Sequence, residues 1–125
     1  MKKLLLTLGL LLMVSAVAFS QTQVLSGDWG GNQETKYYTL HENTGERVFT
    51  VEVNFLKPFE DKPDVVVGVS AIDAVSGSNL RYSLKAKSVS RDGFTVEVKT
   101  WGDSKILSIG GFWVAHSNPM MGSEE

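Results

Sequence analysis

The chain of 125 residues carries 12 Lys and Arg against 14 Asp and Glu, for a formal net charge of −2, and has no cysteine. At 42% hydrophobic and 21% charged it is too short for a multidomain enzyme, too apolar for a disordered chain and too polar for a multi-span membrane protein. A disulfide framework is excluded, so a domain built from it is held by packing alone, or by packing against copies of itself.

Residues 1–20 read as a secretory signal peptide: Lys2 and Lys3 precede an apolar run from Leu4 to Val17, and Ala18 and Ser20 bracket Phe19 before Gln21. A run of about 16 apolar or small residues is short for a membrane span of roughly 20. Removal of this segment is expected to leave a soluble domain of residues 21–125 with a charge of −4, secreted to the extracellular space or periplasm.

Within that domain the apolar pattern has period two. Phe49, Val51, Val53 and Phe55 alternate with Thr50, Glu52 and Asn54, as a half-buried strand requires. Pro58 and Pro63 bound a polar turn. Asp64 to Ile72 is more continuously apolar, with Val65, Val66 and Val67 in succession, and predicts a strand buried on both faces or central in its sheet.

A hairpin follows. Leu80, Tyr82, Leu84 and Ala86 share one face with Arg81, Ser83, Lys85 and Lys87 opposite; after Asp92 and Gly93, the apolar residues are Phe94, Val96 and Val98. For the two apolar faces to coincide, the numbers of paired residues must sum to an even value, which excludes a two-residue loop. A three-residue loop, 90–92 or 91–93, gives sums of 182 or 184, with Gly93 available for a positive φ. Arg81 then falls opposite Trp101 or Asp103. A tryptophan on the polar face beside an arginine and an aspartate predicts a binding site in which the indole supports an apolar ligand face and the charged pair bonds its polar edge. The alternative is an indole packed against a neighbouring sheet or subunit. The last strand, Lys105 to His116, holds Gly110 and Gly111, which mark a bulge or a close approach. Trp113 there is expected in the core.

The sequence offers little to catalysis. Only His41 and His116 are present, and no Gly-x-Ser-x-Gly, His-Glu-x-x-His or phosphate loop occurs. Asp64, Asp73 and Asp103 are the carboxylates available to a glycosidase-type pair. No catalytic residue, metal site or cofactor is expected, and a negative domain with little aromatic interleaving argues against nucleic acid.

Several blocks together carry a family resemblance: Val24-Leu-Ser-Gly27, Val51-Glu-Val-Asn-Phe55, Pro58-Phe59, Pro63-Asp-Val65, Val69-Ser-Ala-Ile-Asp73, Asn79-Leu-Arg81, Val89-Ser90, Gly93-Phe94, Thr100-Trp-Gly-Asp-Ser104 and Trp113-Val-Ala115. In this order and spacing they resemble the H-type lectin domain of invertebrate agglutinins and of the C-terminal part of discoidins, over a core of about residues 24–116. The resemblance implies an all-β, six-stranded antiparallel β-sandwich, a homotrimer that can pair into a hexamer, and recognition of terminal N-acetylgalactosamine or galactose in roles such as cell adhesion. It also implies that Arg81 and Trp101 contact sugar. The position after the tryptophan, a sugar-contacting histidine in a snail agglutinin, is Gly102 here. Where the family has an acidic loop residue, the alignment falls near Asn43 and Thr44, and the snail disulfides have no counterpart. The expected carbohydrate site is therefore Arg81, Trp101, Gly102 and Asp103 with Asn43 and Thr44. Two other readings are a site for sulfated or otherwise anionic glycans on the Arg81, Lys85, Lys87 and Lys99 face, and a structural surface oligomer that binds no sugar.

Overall fold

A computed structural model describes residues 22–118; the expected signal peptide and the tail after Asn118 lie outside the described residues. Six strands follow in chain order: β1 (Val24–Asn32), β2 (Arg47–Asn54), β3 (Asp64–Ala74), β4 (Ser83–Lys87), β5 (Gly93–Thr100) and β6 (Ile106–His116). They form two three-stranded antiparallel sheets, ordered β1-β6-β3 and β2-β5-β4. The protein is all-β, as its period-two pattern predicts, and is the six-stranded sandwich that the resemblance implies; among the described residues none is helical.

Alternation decides which side chains meet between the sheets. On β2 the odd positions face inward, with Phe49 buried and Val51 and Val53 half-buried; on β5 the even positions do, with Phe94, Val96 and Val98 buried. Trp113 joins them as expected. Its ring lies 5.5 Å from Phe94 and 5.8 Å from Phe55, and aromatic packing of this kind replaces the cross-links that a cysteine-free chain lacks. Trp29, inward on β1, donates its indole N–H to the carbonyls of Gly68 (3.2 Å) and Phe112 (3.1 Å), tying β1 to both strands of its sheet.

Three expectations are corrected. The Asp64–Ile72 segment is neither central nor buried on both faces: β3 is the edge of its sheet, and Val66 is exposed. Among the described residues no third layer covers the outward Val66, while Val65, Val67 and Val69 pack against the core. The hairpin has the even register of sum 182, Ser83↔Lys99 through Lys87↔Thr95, but its first strand starts only at Ser83, so Leu80 and Tyr82 are exposed loop residues and not core. Gly93 does not take the positive φ of the turn; Ser88 does, at 53°. Gly93 is needed for space, since a Cβ there would stand 2.1 Å from the Val53 carbonyl oxygen.

Gly110 and Gly111 do mark a bulge. The β3–β6 register shifts between Val69 and Ala71, opposite these two glycines. The up-and-down order of the strands gathers the β1–β2, β3–β4 and β5–β6 connections at one end of the sandwich and leaves residues 55–63, the hairpin turn and both ends of the described chain at the other.

Candidate functional site

The three connections at one end are bound to one another through buried polar groups. Residue 100 continues the inward parity of Val96 and Val98, so the Thr100 hydroxyl is buried and must find a partner. It donates to the Arg81 carbonyl at 2.5 Å. Ser104, also fully buried, accepts the Arg81 N–H at 2.9 Å through its hydroxyl oxygen and donates its own proton to the Asn79 carbonyl. Two hydroxyls from the β5–β6 segment thus hold the backbone of Arg81 on both sides although it lies outside any strand. From this clamp the Arg81 guanidinium reaches Asp103 in a charge-assisted hydrogen bond.

Trp101 leaves β5 with the opposite parity from Thr100 and turns outward, 41% exposed. After it the chain reverses at Gly102, whose φ of +67° disfavours any side chain. A Cβ at Gly102 would also come within 3.2 Å of Arg81 Nη1. The missing side chain therefore makes room for the guanidinium that bonds Asp103.

The third part of the site is the β1–β2 connection. Its residues Asn43 and Thr44 are exposed at an apex that turns through left-handed backbone at Asn43 (φ 55°) and Gly45 (φ 86°). The Gly45 N–H donates to the Gly102 carbonyl at 3.1 Å, which brings the apex beside the Trp101–Asp103 turn. Arg47, at the start of β2, bonds the carbonyls of Leu40, Glu42, Gly45 and Gly102 from beneath. Tyr38 supports the same end: its phenol donates to the Ile106 carbonyl at 2.7 Å, and burial pushes its pKa up to about 12, so the donor keeps its proton. All six residues expected at the site thus belong to three adjoining segments. Arg47, Thr100 and Ser104, which hold these segments together, were not foreseen. Parity held a signal for two of them: Arg47 precedes the inward series Phe49, Val51, Val53, and Thr100 extends the inward series of β5.

Two cavities, of about 430 Å³ (lined by Asn32, Gln33, Glu34, Asp73, Leu107 and Ser108) and about 510 Å³ (around Gln23, Lys57, Phe59 and Arg91), are lined by other residues. Among the described residues no cluster of three or more His, Asp or Glu is arranged to hold a metal. Asp64 and Asp73 stand near opposite ends of β3, about 30 Å apart at the rise of an extended strand, so these two do not form a glycosidase pair. On the lysine face, Lys87 pairs with Glu97 at 2.8 Å and Lys99 with Glu46 at 3.7 Å, which lowers the positive field of that face.

Hydrogen bonding from Arg81 holds the Asp103 carboxyl below the ordinary value of 3.8. A carboxyl lowered in this way keeps its bond at all pH values above its ordinary pKa and loses it only as pH falls through the lowered one. Carbon-detected NMR of Asp103 is expected to show no titration between neutral pH and the ordinary value, and Arg81→Met is expected to raise the midpoint toward that value. A midpoint unmoved by the substitution would mean that the pair does not form in solution.

A family model for the H-type lectin domain matches residues 50–116, more than half of the chain. The chain belongs to the H-type lectin domain family. The match spans β3 to β6 and includes Arg81 and the Trp101–Asp103 turn, while Asn43, Thr44 and Arg47 precede it. Two structures of discoidin II from Dictyostelium discoideum, one recombinant and one wild-type, superpose with a TM-score of 0.69 at 24% identity; each comparison covers 80% of this chain and 38% of the discoidin chain. They establish the shared sandwich fold. A curated relative, open reading frame 7 of the ATP synthase subunits region of Fuscovulum blasticum, is 35% identical over 71 residues, 57% of this chain and 62% of the relative. The chain thus spans less than two thirds of the relatives it matches.

Proposed function

We propose that this H-type lectin domain is a non-enzymatic carbohydrate-binding protein that recognises terminal N-acetylgalactosamine or galactose at the end of the sandwich where Trp101, Arg81 and Asp103 meet. The observation that carries the reading is the exposed indole of Trp101 two residues before Asp103, which pairs with an arginine whose backbone is clamped from both sides. A neutral sugar offers C–H groups on one face and hydroxyls at its edge, and such a surface supplies an aromatic platform with fixed donors and acceptors beside it. Asn43 and Thr44 supply further polar groups. Gly102 gives no side-chain contact, so the loop apex takes a larger share of the hydroxyl recognition.

An open site of this kind binds one sugar weakly. Assembly as a homotrimer, or a hexamer of paired trimers, would present several sites together and raise avidity by roughly 10² to 10⁴ for suitably spaced glycans. The leader-like Lys2-Lys3 and Leu4–Val17 segment supports secretion, where glycans on cell surfaces are the natural targets and adhesion a fitting role. No cofactor, metal or nucleic acid enters this mechanism.

A glycan array read at low and at high salt tests the proposal. Binding to glycans ending in N-acetylgalactosamine or galactose is expected to persist at high salt, because neutral-sugar contacts are not screened. Binding confined to sulfated glycans and lost in salt would move the site to Arg81, Lys85, Lys87 and Lys99. Silence at both salts would leave a structural oligomer as the better account.

A further inference from the structure

Arg47 faces inward at the start of β2 with 7% of its surface exposed. A guanidinium there has lost most of its water, and among the described residues no carboxylate stands within ion-pair distance of it. Burying a charge without a counter-ion is costly unless every donor is satisfied. Backbone carbonyls accept from four of its five N–H groups. Nε donates to Gly45 O at 3.0 Å, Nη1 to Glu42 O at 2.8 Å and Leu40 O at 3.3 Å, and Nη2 to Gly102 O at 3.0 Å.

Three of these carbonyls come from residues 40–45 and point at a single spot. Without a cation there, their dipoles repel and the loop opens. A planar fork of five donors can hold several oxygens at fixed angles, which the single nitrogen of a lysine cannot do. The fourth carbonyl belongs to Gly102, between Trp101 and Asp103, and the same oxygen accepts the Gly45 N–H. One rigid group therefore fixes both the Asn43–Thr44 apex and the Trp101–Asp103 turn.

We propose that Arg47 is the positioning residue of the site, setting the separation between the loop apex and the tryptophan turn and hence which arrangement of hydroxyls the two can hold together. Its effect on affinity rests on the sugar-binding reading above; its coupling of the two loops does not. Arg47→Lys keeps the charge and removes the fork.

Two measurements decide the matter. Amide exchange at Gly45 is expected to quicken at least tenfold in Arg47→Lys while the Val96 and Val98 amides of β5 keep their protection. Equal acceleration at all three would make the residue merely structural and overturn the proposal. Affinity for free N-acetylgalactosamine is expected to fall about tenfold in Arg47→Lys, but less than twofold further when Asn43 and Thr44 are already alanine, because the arginine acts through them and the losses do not add. Equal losses in both backgrounds overturn it. Should Arg47→Lys not fold, Gly45→Ala strains the same loop at φ +86° from a side where a Cβ meets nothing within 4 Å, and the same readings apply. If the unaltered protein binds no N-acetylgalactosamine, the sugar reading fails, and the exchange result alone supports or overturns the coupling.

Discussion

Trp101→Ala is expected to remove most of the sugar affinity while leaving the fold in place. A stacked indole and a sugar face together withdraw on the order of 100 Å² of apolar surface from water, or about 2.5 kcal/mol at the usual coefficient. That corresponds to a loss of roughly 50-fold or more, since about 1.4 kcal/mol is a factor of ten. The folded domain relies little on this side chain: it is 41% exposed and lies outside the core that holds Trp29 and Trp113. Isothermal titration with N-acetylgalactosamine and a thermal melt should therefore part company, with affinity lost and the midpoint moved by only a few degrees. Affinity retained within twofold would take the indole out of the site. A collapse of the melting point would show instead that Trp101 is buried in an assembly, the other fate open to an outward tryptophan.

The largest stability effect is expected at Gly111. This residue faces inward on β6, opposite Trp29 of β1 and Val69 of β3. A Cβ there would stand 1.8 Å from the Gly68 carbonyl oxygen and 2.9 Å from the Val69 Cα. Both are backbone atoms of a paired strand, so relief requires β3 to move away from β6 at the bulge, where its ladder is already interrupted. The carbonyl concerned also accepts the Trp29 indole N–H, so the same movement disturbs the bond that ties β1 to this sheet. Overpacking of this kind costs about 3 kcal/mol or more, and a domain of this size melts about 12 °C lower for each such loss. Gly77→Ala is the control: its φ of +84° makes alanine unfavourable, but a Cβ there meets nothing within 4 Å. If both variants melt alike, the close approach of β3 to β6 at Gly111 does not hold in solution.

Much of the fold was legible because strand alternation is local. The odd positions from Phe49 and the even positions from Phe94 share the inward face of one sheet, as the pattern requires. Parity alone also settled the hairpin register to one of two values, and the observed sum is 182, from Ser83↔Lys99 to Lys87↔Thr95. The paired glycines of β6 announced the bulge. What misled was the valine run in β3, since a continuous apolar stretch suits a central strand and an edge strand with exposed valines equally well.

The candidate site was legible in its outward residues and not in its supports. Hairpin arithmetic and the family resemblance both pointed to Arg81 and the Trp101–Asp103 turn, and the structure sets these on adjoining segments. That Arg81 sits in a loop, with its backbone held by Thr100 and Ser104, follows from hydroxyls buried by long-range packing, and no local pattern reveals their partners. The same holds for Arg47: its inward parity is written in the chain, but its four carbonyl acceptors lie as many as 55 residues away. Composition and alternation by themselves determined a cysteine-free β-domain, the inward faces of β2 and β5 and the identity of its exposed tryptophan. Which strands lie at the edges, and how two connections distant in sequence close around one guanidinium, depended on the pairing of the sheets, because the free energy of a buried polar group is set by neighbours that the chain brings to it only on folding.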